Sequence, residues 1–306
     1  MIRIAAVIVT YNRKDKLRRC VNAVLGQDCS CKPDVIVVDN NSSDSTSELF
    51  TGSAACFDDR RVLYFNTGLN TGGAGGFTFG IRKACELGYD YVWLMDDDCI
   101  PAADALGVLV GFDTAHNGEY GFLSSKVLWM DGNICRMNVQ RETLLHNVRD
   151  WDRKVISVAM SSFVSLFLPV RIVYEMGLPF SKFYMWTDDW EYTRRISRQH
   201  SCYLLTDSIV MHDMDRNETA DISAAGEERL GRFRYLYRND VYLYRREGLT
   251  GCAYELARIM HHTARVLRSK RSVSDKCRRI GIIVKGTFDG LSFFPEPERI
   301  SADWRK

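Results

Sequence analysis

The sequence has no segment of about 18 uninterrupted apolar residues, the length that a membrane-spanning helix needs. Its opening apolar run, Ile4–Val9, is also too short for a signal peptide. Ten cysteines are scattered along the chain, and no paired CxxC motifs indicate a zinc site. Several cysteines lie in apolar segments where free thiols pack well, so we expect reduced thiols in a cytoplasmic protein.

Two common phosphate-binding signatures are also absent. The glycine-rich stretch 66–77 does not match G-x-G-x-x-G, because the sixth position counted from Gly73 is Thr78. No Walker G-K-[ST] sequence occurs either. Glycines before a helix still allow the backbone to approach an anion. The stretch is therefore compatible with a sugar-phosphate site and equally with a turn that packs closely on a sheet.

Charge is unevenly distributed along the 306 residues. The overall net charge is +2, but residues 228–285 contain 15 Lys/Arg and 5 Asp/Glu, which leaves about −8 for the rest of the chain. A basic tail can contact nucleic acid, yet no interleaved aromatic RNA motif or helix-turn-helix accompanies it, so we expect no nucleic-acid partner. With 46% hydrophobic residues, the remainder can bury one large core.

Strands and helices alternate over the first hundred residues. The patterns predict strands over 4–10, 35–38, 61–65 and 89–95, with helices over 16–25 and 46–50 and a third ending at 87. This order is typical of a doubly wound α/β fold with a mostly parallel sheet. Right-handed crossovers would then place the strand ends Thr10, Asp39, Asn66 and Asp96 on one rim.

The later sequence predicts strands over 161–169 and 203–211, a helix through 194–196, and basic helices over 230–246 and 254–267. We therefore predict a catalytic domain over 1–225, divided into halves 1–98 and 99–225. A helical basic extension would occupy 226–306.

Three consecutive carboxylates, Asp96, Asp97 and Asp98, follow an apolar strand. Their mutual repulsion would be relieved by a divalent cation, and oxygen ligands suit Mg²⁺ or Mn²⁺. Most acidic triplets are only solvated turns, but the apolar residues on both sides favour the metal site. His212 also ends an apolar strand, where an imidazole can join two aspartates on Mn²⁺, although a lone histidine is more often structural.

Two further acidic positions have alternative interpretations. Asp39, beside Asn40, could accept the ring N–H of a pyrimidine, or it could simply form a turn. Asp188 and Asp189 lie at the beginning of a predicted helix, between Trp186 and Trp190. Acidic residues suit the first turn of any helix, but this pair also resembles a base beside an aromatic platform for a sugar.

In their order along the chain, these motifs resemble the family 2 glycosyltransferases of GT-A fold, particularly the bacterial galactofuranosyl- and rhamnosyltransferase-like branch. The resemblance spans roughly residues 3 to 295. It is carried by Val7–Arg13, Val37–Ser42, Asn70 with Gly72–Gly76, Asp96–Asp98, Trp186–Glu191, His212, Tyr235–Asn239 and Lys285–Leu291.

The resemblance implies roles for individual residues. The nucleotide sugar would be held by Thr10, Asn12, Asp39, Asn70, Gly73, Asp96 and Asp97. The metal, Mn²⁺ or Mg²⁺, would be bound by Asp96, Asp98 and His212. Asp189 would be the general base, with Asp188 the alternative, and the acceptor would contact Trp186, Trp190 and Glu191.

The implied reaction is an inverting, metal-dependent sugar transfer to a hydroxyl of a growing cell-surface glycan. Galactofuranose from UDP-galactofuranose is the first expectation for the donor, and rhamnose from dTDP-rhamnose the second. The alternatives are a nucleotidyl- or phosphotransferase on the same fold and a non-catalytic glycan- or nucleic-acid-binding protein. The basic helices also predict peripheral contact with the inner face of the membrane, or a homo-oligomer interface.

Overall fold

The computed structural model of the 306-residue chain describes residues 2–51, 55–57 and 59–300. The strands are β1 (Ile4–Thr10), β2 (Asp34–Asp39), β3 (Val62–Asn66), β4 (Tyr91–Asp96), β5 (Cys99–Pro101), β6 (Leu123–Trp129), β7 (Val155–Ser157), β8 (Leu166–Pro169) and β9 (Tyr203–His212). The helices are α1 (Lys14–Leu25), α2 (Gly72–Glu86), α3 (Ala105–Ala115), α4 (Val170–Met176), α5 (Asp188–Ser197), α6 (Glu227–Leu230), α7 (Phe233–Arg245), α8 (Gly248–Arg268) and α9 (Val273–Leu291). Short 3₁₀ turns occupy Thr46–Leu49, Arg136–Asn138 and Ser181–Phe183.

The N-terminal half forms a parallel sheet in the order β3-β2-β1-β4. The register places Thr10 opposite Asp39, Asp39 opposite Asn66, and Val9 opposite Asp96. Every residue of β1 is buried, as expected for a β-branched strand at the centre of a sheet covered on both faces. The predicted α/β fold and the shared rim of strand ends are confirmed.

The second half continues the same sheet with mixed pairing. Strand β4 pairs antiparallel with β8, which leads through β6 and β9 to β5, while β7 adds to β9. The strand predicted over 161–169 is shorter than expected, because Ser165 adopts a left-handed φ of 56° and extended pairing begins at Leu166. The helix predicted over 230–246 is interrupted at Gly231, between α6 and α7.

The glycines of α2 allow this helix to pack closely on the sheet. A Cβ on Gly80 would lie 2.3 Å from Cγ1 of Val7 and 3.0 Å from Cγ2 of Val38. A Cβ on Gly76 would lie 2.4 Å from Cγ1 of Val9. Packing therefore accounts for these two glycines, whereas a Cβ on Gly73 would meet nothing within 4 Å.

Replacing Gly80 with Ala is expected to lower the free energy of unfolding by about 1–3 kcal/mol, because the extra methyl overpacks a rigid valine layer. The matched control is Gly111→Ala in α3, where a Cβ meets nothing within 4 Å. That change should stabilise the helix by about 0.5–1 kcal/mol. Urea denaturation of both variants measures the difference, and equal stabilities would contradict the packing argument.

The C-terminal helices pack on one another: α7 contacts both α8 and α9, and α8 also contacts α9. Helix α9 approaches α7 through two glycines: a Cβ on Gly286 would lie 2.8 Å from the Arg234 carbonyl oxygen, and one on Gly290 would lie 2.7 Å from that of Arg238.

The division at residue 225 stays a prediction, and the last part of the predicted extension, 301–306, lies outside the described residues. None of the described helices is both long enough and apolar enough to span a membrane. All ten cysteines fall within the described ranges, and no disulfide bond joins any two of them.

Candidate active site

The aspartate triplet lies where β4 ends, and two of its members are almost fully buried. Asp97 and Asp98 are 3% and 5% exposed. The Thr10 hydroxyl donates to Oδ2 of Asp97 at 2.7 Å. The Arg13 guanidinium donates to Oδ2 of Asp98 at 2.6 Å and to Oδ1 of Asp97 at 3.2 Å. Sequence reasoning missed this role of Arg13, although its position just after β1, on the predicted rim, was a usable signal.

His212 is brought directly onto Asp98, as the strand-end argument requires. Its Nε2 lies 3.0 Å from Oδ1 of Asp98, and its Nδ1 lies 2.8 Å from Oδ1 of Asn138. Both ring nitrogens therefore face acceptors. Burial opposes the charged ring, but the hydrogen bond to Asp98 prevails and raises the pKa of His212 to about 10. Asn138 orients the imidazole, and nothing in the sequence pointed to it, because it lies in an irregular segment.

The ligand atoms of Asp98, Cys99 and His212 lie within 4.8 Å of one another. Cys99 is fully buried, and burial raises the pKa of its thiol well above its ordinary value, which disfavours the thiolate that would bind metal. Asp96 is partly exposed, and within the described chain its carboxylate accepts no hydrogen bond. Asp96 is outside this group of ligand atoms, so the structure brings together two of the three predicted ligands, Asp98 and His212. A carboxylate and an imidazole are O/N donors that fit a divalent cation such as Mn²⁺ or Mg²⁺.

The three neighbouring carboxylates of the triplet repel one another, and this repulsion costs free energy. Burial and the nearby charge of Asp98 raise the pKa of Asp96. Burial also raises the pKa of Asp97 to about 7, although Arg13 counteracts it. The charges of His212 and Arg13 offset part of this repulsion at Asp96. A positive ligand would remove this cost, which a merely solvated turn would not have.

The acidic pair begins α5 and lies in the electrostatic field of the triplet. Burial raises the pKa of Asp188 to about 7, and the charge of Asp96 adds to this shift. Burial and the charge of Asp188 raise the pKa of Asp189 well above its ordinary value, with a further contribution from Asp96. The Trp190 N–H donates to Oδ1 of Asp189 at 2.7 Å. Asp188 is thus suited to exchange a proton near neutral pH, and Asp189 holds its proton more tightly than an ordinary aspartate.

The loop before α5 has an unusual backbone. Tyr184, Trp186 and Thr187 have φ values of 66°, 62° and 68°, in the left-handed region. Each such non-glycine residue costs on the order of 1 kcal/mol, and residues of this kind concentrate at functional sites. The Tyr184 carbonyl accepts the Ala74 N–H at 3.1 Å, which ties the loop to the start of α2. A Cβ on Gly72 would lie 2.0 Å from that carbonyl oxygen, so glycine is required there.

The predicted acceptor residues differ in accessibility. Trp186 and Trp190 are partly exposed. The Arg141 guanidinium lies over the Trp190 ring, 4.1 Å from its centre, and so covers one face of the indole. Glu191 is only 3% exposed and pairs with Arg195 at 2.9 Å. Its role in acceptor binding stays a prediction, and its burial weighs against that role.

The predicted nucleotide residues line the rim from β1 to α2. Asp39 is 1% exposed and accepts the Tyr64 hydroxyl at 2.6 Å and the Ser42 N–H at 2.8 Å, so it also closes its own turn. Asn12 has a left-handed φ of 54°. Asn70 accepts the Gly72 N–H at 2.9 Å. Their contacts with a nucleotide stay predictions.

Comparison with known proteins places this geometry in context. Residues 5–121 match the family "Glycosyl transferase family 2". The chain is 37% identical over 129 residues to galactofuranosyltransferase GlfT1 of Mycolicibacterium smegmatis, covering 42% of this chain and 40% of that protein. It is 38% identical over 96 residues to GlfT1 of Mycobacterium tuberculosis, covering 30% and 29% of the two chains. The match thus spans about two fifths of the relatives' length or less.

Solved structures extend the likeness beyond the N-terminal half. The structure of S. aureus TarS 1-349 has a TM-score of 0.56 at 13% identity and covers 94% of this chain and 72% of that one. GalNAc-T7 with UDP, GalNAc and Mn²⁺ has a TM-score of 0.57 at 14% identity, with 80% and 48% covered. At these identities the likeness concerns the fold alone.

Proposed function

We propose that this chain transfers a sugar from a nucleotide-sugar donor to a hydroxyl group of a glycan, as the match of residues 5–121 to glycosyltransferase family 2 and the similarity to galactofuranosyltransferase GlfT1 support. The observation that carries this proposal is the meeting of Asp98 and His212 at the strand ends, with the acidic pair of α5 within the field of Asp96. Asp98 and His212 suit a cation and the diphosphate that it binds, and the acidic pair of α5 suits proton removal from an acceptor.

In the proposed reaction, Asp189 removes the proton of the acceptor hydroxyl. The Oδ1 atom of Asp189 accepts the backbone N–H of Trp190, which leaves Oδ2 for the incoming hydroxyl. The acceptor oxygen bonds to the anomeric carbon as the bond from that carbon to the diphosphate oxygen breaks, and the electron pair leaves with the nucleoside diphosphate. This single displacement inverts the configuration. Asp188 is the alternative base, since its raised pKa of about 7 also suits proton transfer.

Asp96, Asp98 and His212 would hold the divalent cation, Mn²⁺ or Mg²⁺. When bound, it would supply positive charge next to the diphosphate leaving group. Arg13, which here bonds to Asp97 and Asp98, would offer its guanidinium to a phosphate oxygen of the donor. Thr10, Asn12, Asp39, Asn70 and Gly73 would hold the rest of the nucleotide sugar along the rim.

The donor proposed first is UDP-galactofuranose, and dTDP-rhamnose is second. The support is the name of the mycobacterial relatives, galactofuranosyltransferase GlfT1, together with the resemblance of the aspartate triplet and His212 to that branch. The acceptor would be a growing cell-surface glycan, free or linked to a lipid, with Trp186 and Trp190 beside its sugar.

The deciding experiment incubates purified protein and Mn²⁺ with UDP-galactofuranose or dTDP-rhamnose, with and without a galactofuranosyl oligosaccharide. Release of UDP or dTDP together with a lengthened oligosaccharide supports the proposal and identifies the donor. Release of pyrophosphate or phosphate instead would assign a nucleotidyl- or phosphotransferase. If neither donor is consumed in the presence of acceptor, the proposed donors are wrong, and if calorimetry then also detects no UDP binding, the transferase function itself fails.

We also propose that α8 contacts an anionic membrane surface. Leu249, Leu256, Met260 and Leu267 share one face of α8 and are 91%, 57%, 58% and 56% exposed. Among the described residues, the cations Arg268 and Lys270 that follow this face form no ion pair. An apolar stripe next to free cations suits the boundary between lipid headgroups and acyl chains.

In a vesicle sedimentation assay with anionic lipid, Leu256→Ser is expected to weaken binding about tenfold, because burying one leucine contributes about 1.5–3 kcal/mol. Leu145→Ser is the matched control, since Leu145 is 50% exposed outside the C-terminal helices. Equal binding of both variants would contradict the membrane proposal. A dimer that dissociates in Leu256→Ser, seen without vesicles, would instead show that this face joins two copies.

A further inference from the structure

Three consecutive residues of α7 hold the backbone of the left-handed loop that precedes the acidic pair. Arg238 donates through Nη2 to the carbonyl oxygens of Lys182 and Phe183, at 2.8 and 3.0 Å. The Asn239 side-chain amide donates to three carbonyls, those of Phe183, Met185 and Trp186, at 3.0, 3.1 and 2.9 Å.

The third residue, Asp240, completes the attachment at the start of α5. The Thr187 hydroxyl donates to Oδ1 of Asp240 at 2.7 Å, and Arg258 of α8 donates to its Oδ2 at 2.5 Å. Asn239 and Asp240 are 0% and 3% exposed, so neither meets solvent. Their polar groups are satisfied by the loop and by α8, in keeping with the cost of leaving such groups buried without partners.

The position of these contacts matters more than their number. They fall on the segment 182–187, which contains the left-handed Tyr184, Trp186 and Thr187, and Asp188 follows immediately. An unattached loop would relax out of this sparsely populated backbone conformation and rotate the first turn of α5. Gly286 and Gly290 of α9 pack closely against the backbone of α7, which holds in place the helix that carries these three residues.

We infer that Arg238, Asn239 and Asp240 form a positioning clamp for Asp188 and Asp189. The clamp holds the strained loop so that the proposed base faces the aspartate triplet, and it makes the C-terminal helices part of the active-site framework. This inference rests on the proposed function for its catalytic consequence. The attachment of the loop itself can be tested without any activity.

The first test compares Asn239→Ala, which removes the donor to three carbonyls, with Arg234→Ala. Arg234 lies on the same helix and pairs with Asp289 of α9 at 2.6 Å without touching the loop. For Asn239→Ala, kcat is expected to fall about 10–100-fold, with unchanged KM for the donor and unchanged UDP binding by calorimetry. Arg234→Ala should leave all three quantities near the wild-type values.

A second pair of variants tests the same contact in case Asn239→Ala does not fold. Thr187→Val removes the hydroxyl that Asp240 accepts while keeping the side-chain volume, and Thr187→Ser restores that hydroxyl. We expect a several-fold loss of kcat in Thr187→Val and recovery in Thr187→Ser. A merely structural contact would change the unfolding temperature and leave kcat per folded molecule unaltered, which would overturn the inference.

Hydrogen–deuterium exchange separates the failure of the clamp from the failure of the proposed function. The amides of residues 183–189 should exchange at least tenfold faster in Asn239→Ala than in Arg234→Ala. If wild-type protein transfers no sugar but this difference appears, the proposed function fails and the clamp stands. If exchange is equal in the two variants, the clamp is wrong whatever the activity.

Discussion

Replacing Asp189 with Asn is expected to slow sugar transfer by about 10²–10⁴-fold, the usual contribution of a general base. The amide keeps the shape of the side chain and can still accept the Trp190 N–H, but it cannot take the acceptor proton. Donor binding should be unchanged, because the base acts on the acceptor. Steady-state kinetics with UDP calorimetry measures both quantities.

The control is Asp15→Asn, which removes another aspartate from the first turn of a helix. The Asp15 side chain is 91% exposed in the first turn of α1, so its replacement removes a helix-terminal carboxylate without touching the candidate site. If Asp189→Asn retains most of its transfer rate while Asp188→Asn loses it, Asp188 is the base. If both retain the rate, the acidic pair is not catalytic.

The raised pKa values give this prediction a pH signature. A base works only when deprotonated, and burial raises the pKa of Asp188 to about 7 and that of Asp189 well above its ordinary value. Transfer should therefore fall on acidification as the carboxyl is protonated, at a pH above the ordinary titration range of an aspartate. The acidic limb should disappear in the slow residual reaction of Asp189→Asn.

The second large effect is expected at Asp98. Replacing it with Asn removes the negative charge between Arg13 and His212, together with a proposed cation ligand. We expect transfer to fall by about 10²–10³-fold, as for other groups that stabilise developing charge, and Mn²⁺ binding to weaken at least tenfold. Asp131→Asn, at an exposed acid in the turn after β6, is the control and should change neither quantity.

His212 makes the expected Mn²⁺ affinity pH-dependent. Both ring nitrogens face acceptors and the pKa of His212 is raised to about 10, so a cation must displace the Nε2 proton. Affinity should fall by up to tenfold for each unit by which the pH is lowered below that value. Mn²⁺ titrations between about pH 6.5 and 8.5 measure the slope. A wild-type slope equal to that of His212→Gln would remove His212 from the cation site.

The rim of strand ends was predictable because each of its parts is local. A buried β-branched run followed by a polar residue marks the end of a parallel strand, and the handedness of the crossovers then fixes where the ends meet. Thr10, Asp39 and Asp96 could therefore be assigned to one edge before their register was known. His212 was harder, because it joins the edge from a strand on the other half of the sheet.

The residues that sequence reasoning missed act through long-range contacts. Asn138 meets His212 across 74 positions, and Asn239 meets Trp186 across 53. No periodicity links such pairs. The basic tail shows the same limit: Arg258 and Arg265 belong to the basic helices for which we predicted contact with a membrane or a second copy, but they pair with Asp240 and Asp221. Local patterns reveal a charge and give no information about its distant partner.

The change of pairing at β4 bears on how specificity can diverge. Strand β4 pairs parallel with β1 on one edge and antiparallel with β8 on the other. Most of the proposed donor residues lie on the β1 side, whereas Asp188 and Asp189 follow β8 and His212 ends β9 on the other side. Each side can accumulate substitutions without disturbing the hydrogen-bond ladder of the other. Chimeras joined at β4 would therefore exchange donor preference and acceptor preference as separate modules.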